Sequence, residues 1–339
     1  MLQTRNISRP ASTPTPLFTA TGAPSTPPLP TNGNRLIRRR TSRHLIPRRA
    51  FLGGLISLTL PPTSGAGNPL PLQIAALDWT SAQNLLALGA NVITLPERTR
   101  YSERVVEPEA SPNTHDLGLR SEPNLELLDS LAPDLIVLHP ELGMLLPELN
   151  AIAPAILFDP DANDDLQPVD RLANARVKLE RLAGEIARPS AFSSYINAYE
   201  AAISEAAARL RGYDGRAVYI VTLLDTRRAL VFGKNSLFQN LFDQFSIENA
   251  WDGPTSFYGH ATVTIDALAR QSHARLLSVG RESRLLLQPA LQSPVIASLP
   301  YVREERAVAI DDVLFYGGLP SAQRFARLAS FALTDTTAP

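Results

Sequence analysis

The stretch PSAFSSYINAYEAAISEAAARLR, residues 189–211, decides how the chain is organised. Behind Pro189, a residue suited to the first turn of a helix, Ala, Leu, Ile and Tyr recur at helical spacing, and Glu200 and Glu205 fall on the wetter face. Some 20 helical residues span roughly 30 Å, about the width of a small lobe. On its N-terminal side short apolar runs at Gln73–Leu77, Asn91–Leu95, Leu135–Leu138 and Ala155–Phe158 alternate with helical segments, Ser81–Leu88 among them, in the rhythm of parallel strands. On its C-terminal side a second set runs through Ala217–Thr222, Ala274–Val279 and Ala307–Ile310. The pattern predicts a bilobal α/β fold: a lobe over 67–188, one long rigid helix over 189–212, and a second lobe over 213–335. A rigid joint predicts a cleft whose walls move little.

The net charge of −1 averages two unlike parts. Residues 1–66 hold nine Arg and no Asp, Glu or Lys, which leaves 23 basic against 33 acidic side chains in the rest, a net charge near −10. A body that acidic argues against a nucleic-acid partner, which needs clustered Lys and Arg. The basic segment reads as an export signal: Arg48-Arg49, a weakly apolar run from Ala50 to Leu60, then small residues at Ser64-Gly65-Ala66. Paired arginines followed by Ala-Phe-Leu resemble a twin-arginine signal, which implies the twin-arginine export machinery as a partner and cleavage near Ala66. The alternative is a membrane anchor, although about ten apolar residues are half of what spans a bilayer. Residues 1–46, rich in Pro, Ser and Thr, read as a disordered leader or an overextended start.

The chain has no cysteine, which excludes disulfides, thiolate metal sites, a cysteine nucleophile and a lipid-modified cysteine. A freely diffusing periplasmic protein fits best. No HExxH, GxSxG, Walker A or GxGxxG pattern occurs, so the enzyme reading has little support. His115, His139, His260 and His273 are scattered singly; a metal site would need several to converge.

Two longer stretches carry a family resemblance. The first is DLGLRSEPNLELL at 116–128; the second is LVFGKNSLFQ at 230–239, continuing through Asn249-Ala250-Trp251 to Phe257-Tyr258-Gly259. Leu77-Asp78-Trp79, Ile152-Ala153-Pro154 and Phe315-Tyr316-Gly317 add to it in the same order. Together they resemble the periplasmic ferric-hydroxamate (ferrichrome-type) siderophore-binding proteins of ABC importers. The resemblance implies a solute-binding protein that is not an enzyme and has no cofactor. Its partners would be a ferric hydroxamate siderophore and an inner-membrane ABC permease. A monomer is the natural form for such a shuttle.

By that resemblance Arg120 donates to hydroxamate oxygens, its planar fork offering several donors at fixed geometry. The residues themselves also allow a surface pair with Glu122 or Asp116. Tyr258 falls where the family carries an aromatic on the C-terminal lobe, and Trp79 and Tyr316 join it as ligand-binding candidates. The sequence departs from the family at Leu142, where a tyrosine is expected after His139, and at Leu314, where a tryptophan is expected. A more aliphatic cleft with His139 and Glu141 leaves the siderophore open, a mixed carboxylate-hydroxamate included. Glu148 and Asp266 are the candidates for docking on the permease, with a helix N-cap as the other reading of Asp266. Haem or a corrinoid, an exported siderophore-processing hydrolase using a serine with His115 or His260, and a sensor that never meets a transporter are the competing functions.

Overall fold

Runs such as LIVL at 135–138 are apolar at every position because the strands they form are covered on both faces. The computed structural model describes residues 71–162 and 170–334; the export-signal reading of residues 1–66 falls outside them. In the first half the elements are β1 (Gln73–Ala76), α1 (Trp79–Ala87), β2 (Asn91–Leu95), α2 (Arg98–Arg104), β3 (His115–Asp116), the hairpin β4 (Gly118–Leu119) and β5 (Glu122–Pro123), α3 (Leu125–Leu131), β6 (Leu135–Leu138), a 3-10 helix (Pro140–Leu145), α4 (Leu146–Ile152) and β7 (Ala155–Leu157). Five of these strands form an all-parallel sheet in the order β3-β2-β1-β6-β7. The chain therefore leaves β1 on one side and returns on the other at β6. The loops beyond the carboxyl ends of those two strands splay apart, and in open parallel sheets ligands bind in that crevice. Asp78, Trp79 and His139 stand there.

Two helices follow, α5 (Arg171–Glu185) and α6 (Pro189–Leu210), then β8 (Val218–Leu223), β9 (Arg228–Phe232), α7 (Leu237–Gln244), β10 (His260–Thr264), a 3-10 helix (Ile265–Ala269), β11 (Arg275–Val279), α8 (Arg281–Leu291), the short α9 (Pro294–Ala297) and α10 (Pro300–Arg303), β12 (Ala307–Ile310) and α11 (Leu319–Thr334). The second sheet runs β10-β9-β8-β11-β12, with β8, β9 and β10 antiparallel and the others parallel. Strands β9 and β10 go beyond the sequence reading. HATVT at β10 is polar and half exposed because it lies at the sheet edge, where no second face needs covering.

Helix α6 has the expected length and buries Phe192, Ile196, Tyr199, Ala206 and Leu210 along one stripe, packed on α11 and α5, while Glu200 and Glu205 face solvent. One apolar core is continuous across both sheets: Ile74, Ala76 and Val137 from the first share it with Val218, Ile220, Leu277 and Val279 from the second. The opposite face of each sheet has its own smaller core. Buried amides reinforce the joint, since Asn84 Nδ2 donates to Gly317 O at 3.0 Å and Ser321 Oγ to Gln83 Oε1 at 3.0 Å. Ion pairs across it link Arg104 to Asp312 at 3.2 Å, Arg104 also to Glu282, and Arg324 to Glu107. Among the described residues no helix is long and apolar enough to cross a membrane.

Candidate functional site

Asp78 closes the crevice of the first sheet. Its carboxylate caps α1 by accepting from Ser81 N at 2.8 Å and Ser81 Oγ at 2.7 Å, and it takes His139 N at 2.7 Å, so the ends of β1 and β6 are tied together. Desolvation at the strand ends raises its pKa despite those donors. Trp79 follows directly, its Nε1 donating to Pro96 O at 3.0 Å. The guanidinium of Arg120, at the turn of the β4–β5 hairpin, lies 3.7 Å over the Trp79 ring centroid. Its Nε donates to Glu97 Oε2 at 2.6 Å. Neither surface pair offered for Arg120 forms: Asp116 instead accepts from Arg98 N and Gly118 N, turning the chain at the hairpin.

Trp79, Arg104 and Arg120 from one lobe and Leu223, Leu314 and Phe315 from the other line a cavity of about 340 Å³. The segment carrying Leu314 leads into an aromatic group on the C-terminal side. Tyr258, half exposed in the turn before β10, has its ring centroid 5.7 Å from Tyr316 and 6.4 Å from His260. The Tyr316 hydroxyl and His260 Nδ1 share a hydrogen bond of 2.7 Å, and burial pushes the Tyr316 phenol up to about 12. Gly259 is required here: its φ is +78°, and a Cβ would stand 2.6 Å from Ser236 Cα. Thr80 Oγ1 donates to Tyr316 O at 3.5 Å, so the aromatic group adjoins the crevice of the first sheet. Trp79, Arg120 and Leu314 line that cavity, and the group of Tyr258 and Tyr316 stands beside it rather than in its lining.

Leu142 lies apart from that cavity, in the 3-10 helix, half-buried against the outer core of the first lobe. His139 caps the same 3-10 helix and stands 3.6 Å from Asp159, which raises its pKa. Behind it, Asp161 is buried; burial pushes its carboxyl up to about 6 although Arg171 Nη1 is 3.3 Å away. Arg171 is itself only 1% exposed, and it donates to Asn235 O at 2.6 Å and to Phe257 O, so it anchors the loop bearing Tyr258. Both raised groups bind protons more tightly folded than unfolded. The Asp161 contribution to stability therefore falls between pH 3.8 and about 6. The His139 contribution is complete below pH 6.5 and lost as pH rises through its higher folded value. The thermal midpoint of the ligand-free protein is expected to drop from pH 5 to pH 8, and His139→Gln to flatten the part above 6.5; an unaltered slope in that variant would refute the assignment.

Glu148 and Asp266 are both exposed. The N-cap reading of Asp266 is corrected: Thr264 holds the cap position and Asp266 lies inside the first turn of the 3-10 helix. Among the described residues no His, Cys, Asp or Glu cluster would hold a metal ion.

Comparison with known proteins agrees with this fold. The periplasmic binding protein family model matches residues 74–314. The iron(3+)-hydroxamate-binding protein FhuD of Escherichia coli (strain K12) is 35% identical over 263 residues, covering 78% of this chain and 87% of the relative. The chain belongs to the periplasmic binding protein family. Its fold is shared with the siderophore-binding protein FhuD of Vibrio cholerae solved with Fe3+-Desferal, at TM-score 0.71 and 24% identity over 79% of this chain and 99% of that one. FhuD2 of Staphylococcus aureus, solved with ferrioxamine B, aligns at TM-score 0.62 and 15% identity over 78% and 98%. Relatives of this kind are transport proteins, and this binding protein is one of them rather than an enzyme.

Two residues that position the candidate site's side chains escaped sequence reasoning. Glu97 follows the end of β2, where carboxyl ends of parallel strands gather functional groups, and that position was its one available signal. Arg171 opens a helix in a stretch with no strand or motif to mark it.

Proposed function

We propose that this protein captures a ferric hydroxamate siderophore in the cleft between Arg120 and Tyr258 and delivers it to an inner-membrane ABC permease. The observation that carries the reading is the Arg120 guanidinium, held over Trp79 at 3.7 Å with Nε occupied, so that its terminal nitrogens remain for a ligand. A ferric tris-hydroxamate presents six oxygens around iron on an apolar frame; a forked donor on one wall and aromatic faces on the other suit it. The 35% identical relative is by name an iron(3+)-hydroxamate-binding protein, which supports the same ligand class. The chain then works as lobes at 67–188 and 213–335 joined by the helix at 189–212. It reaches the periplasm by twin-arginine export with cleavage near Ala66, acts as a monomer, and docks through Glu148 and Asp266.

Titration of the protein from Gly67 onward with ferrichrome, ferrioxamine B, coprogen and haem, followed by intrinsic fluorescence, tests the reading. Saturable quenching by a ferric hydroxamate is expected. Tyr258→Phe should bind within about twofold of the parent and Tyr258→Ala three- to tenfold more weakly, the ~0.5–1.5 kcal/mol of an aromatic contact. Quenching by haem with no response to any hydroxamate would overturn the ligand class and leave the family standing.

A further inference from the structure

We infer that Glu97 sets the charge of the ligand the cleft accepts: it holds Arg120 as an aimed but neutralised donor, so neutral or cationic ferric hydroxamates are favoured over anionic chelates. The inference rests on the reading of the cleft as a ferric hydroxamate site.

Glu97 is built for a fixed position. Its backbone is left-handed, with φ 47° and ψ 50°, a conformation that a non-glycine residue keeps only where its surroundings enforce it. Its N–H donates to Gly118 O at 2.8 Å, tying the turn after β2 to the hairpin that carries Arg120. The preceding carbonyl, Pro96 O, holds the Trp79 indole. One turn therefore positions both the arginine and the ring it lies on. The side chain is 11% exposed and spends both oxygens on cations: Oε2 on Arg120 Nε at 2.6 Å and Oε1 on Arg100 Nη1 at 3.3 Å.

The consequence concerns charge as well as direction. Three singly charged hydroxamates around Fe3+ give a neutral complex, whereas three doubly charged catecholates leave three negative charges. A bare pair of arginines would attract the second kind more strongly. With Glu97 between them the pair keeps one net charge instead of two, and Arg120 offers hydrogen bonds with little long-range pull. At ~8 Å and an effective dielectric of ~60, one charge alters affinity about threefold per unit of ligand charge.

Ferrioxamine B, its N-acetyl and its N-succinyl derivatives share one hydroxamate core and carry +1, 0 and −1, so they report charge preference at constant shape. Affinities for the three are to be measured on the parent, Glu97→Gln, Glu97→Asp and Arg100→Gln at fixed low salt. Glu97→Gln is expected to weaken the neutral ligand and to move the succinyl-to-parent affinity ratio about tenfold toward the anion, from the two-unit charge difference. Glu97→Asp retains the parent ranking because it keeps the charge. Arg100→Gln, at a side chain 58% exposed, shifts the ratio about as far the other way and needs no change at Glu97. A folded Glu97→Gln protein with an unchanged ratio, or an unchanged ratio in Arg100→Gln, overturns the inference while leaving the hydroxamate reading intact. A parent protein that binds none of the three overturns the hydroxamate reading itself.

Discussion

Replacing Arg120 by alanine is expected to weaken ferric hydroxamate binding ten- to a hundredfold, about 1.4–2.8 kcal/mol, with little change in thermal midpoint. Hydrogen bonds from a charged donor contribute roughly 1.5–3 kcal/mol when their partner is left without a substitute. The guanidinium is 41% exposed and belongs to no core, so its loss should leave the fold alone. Glu97 keeps Arg100 as a partner, so no isolated charge is created. Arg120→Lys should rescue little: an ammonium on a flexible stem neither lies flat on Trp79 nor presents a fork. Isothermal titration with ferrichrome gives the answer, and an alanine variant within twofold of the parent would remove Arg120 from the binding site.

The largest loss of stability is expected at Arg171→Met, about 3–5 kcal/mol by urea unfolding. The side chain is buried, pairs with Asp161, and satisfies the carbonyls of Asn235 and Phe257. Methionine fills much of the volume but strands the buried Asp161 carboxylate and takes the donor from two backbone carbonyls. Adding Asp161→Asn should recover part of the loss, since an amide is far cheaper to bury than an unpaired carboxylate. Ligand affinity should fall as well, because the loop released is the one that presents Tyr258. A destabilisation under 1 kcal/mol would show that Arg171 is dispensable.

Much of this architecture was legible in the chain. Central parallel strands read as continuous apolar runs because both their faces are buried, and β1, β6 and β11 fall where those runs predict. Helix α6 declared itself by its stripe and its proline. Edge strand β10 carries too few apolar residues to announce itself, whereas β9 is internal and apolar in RALVF and stands out only as part of the stretch that carries the resemblance. The candidates Arg120, Trp79 and Tyr258 rest on runs of residues that resemble a family. The partner of Arg120 was not legible, since Glu97 lies 23 positions away and only the hairpin's fold over β2 brings them together. Leu142 was placed by counting along a loop, which fails where a 3-10 helix turns the side chain toward its own lobe.

The core shared by both sheets has a consequence for traffic. Walls tied by one apolar core are expected to swing little, which would leave the empty and the filled carrier with nearly one silhouette. A receptor that feels only the outer tips then admits both, and every vacant copy seated there delays a laden one. Supply and obstruction grow together with the number of copies, so the useful abundance of such a carrier has an upper bound set by how much of it is full.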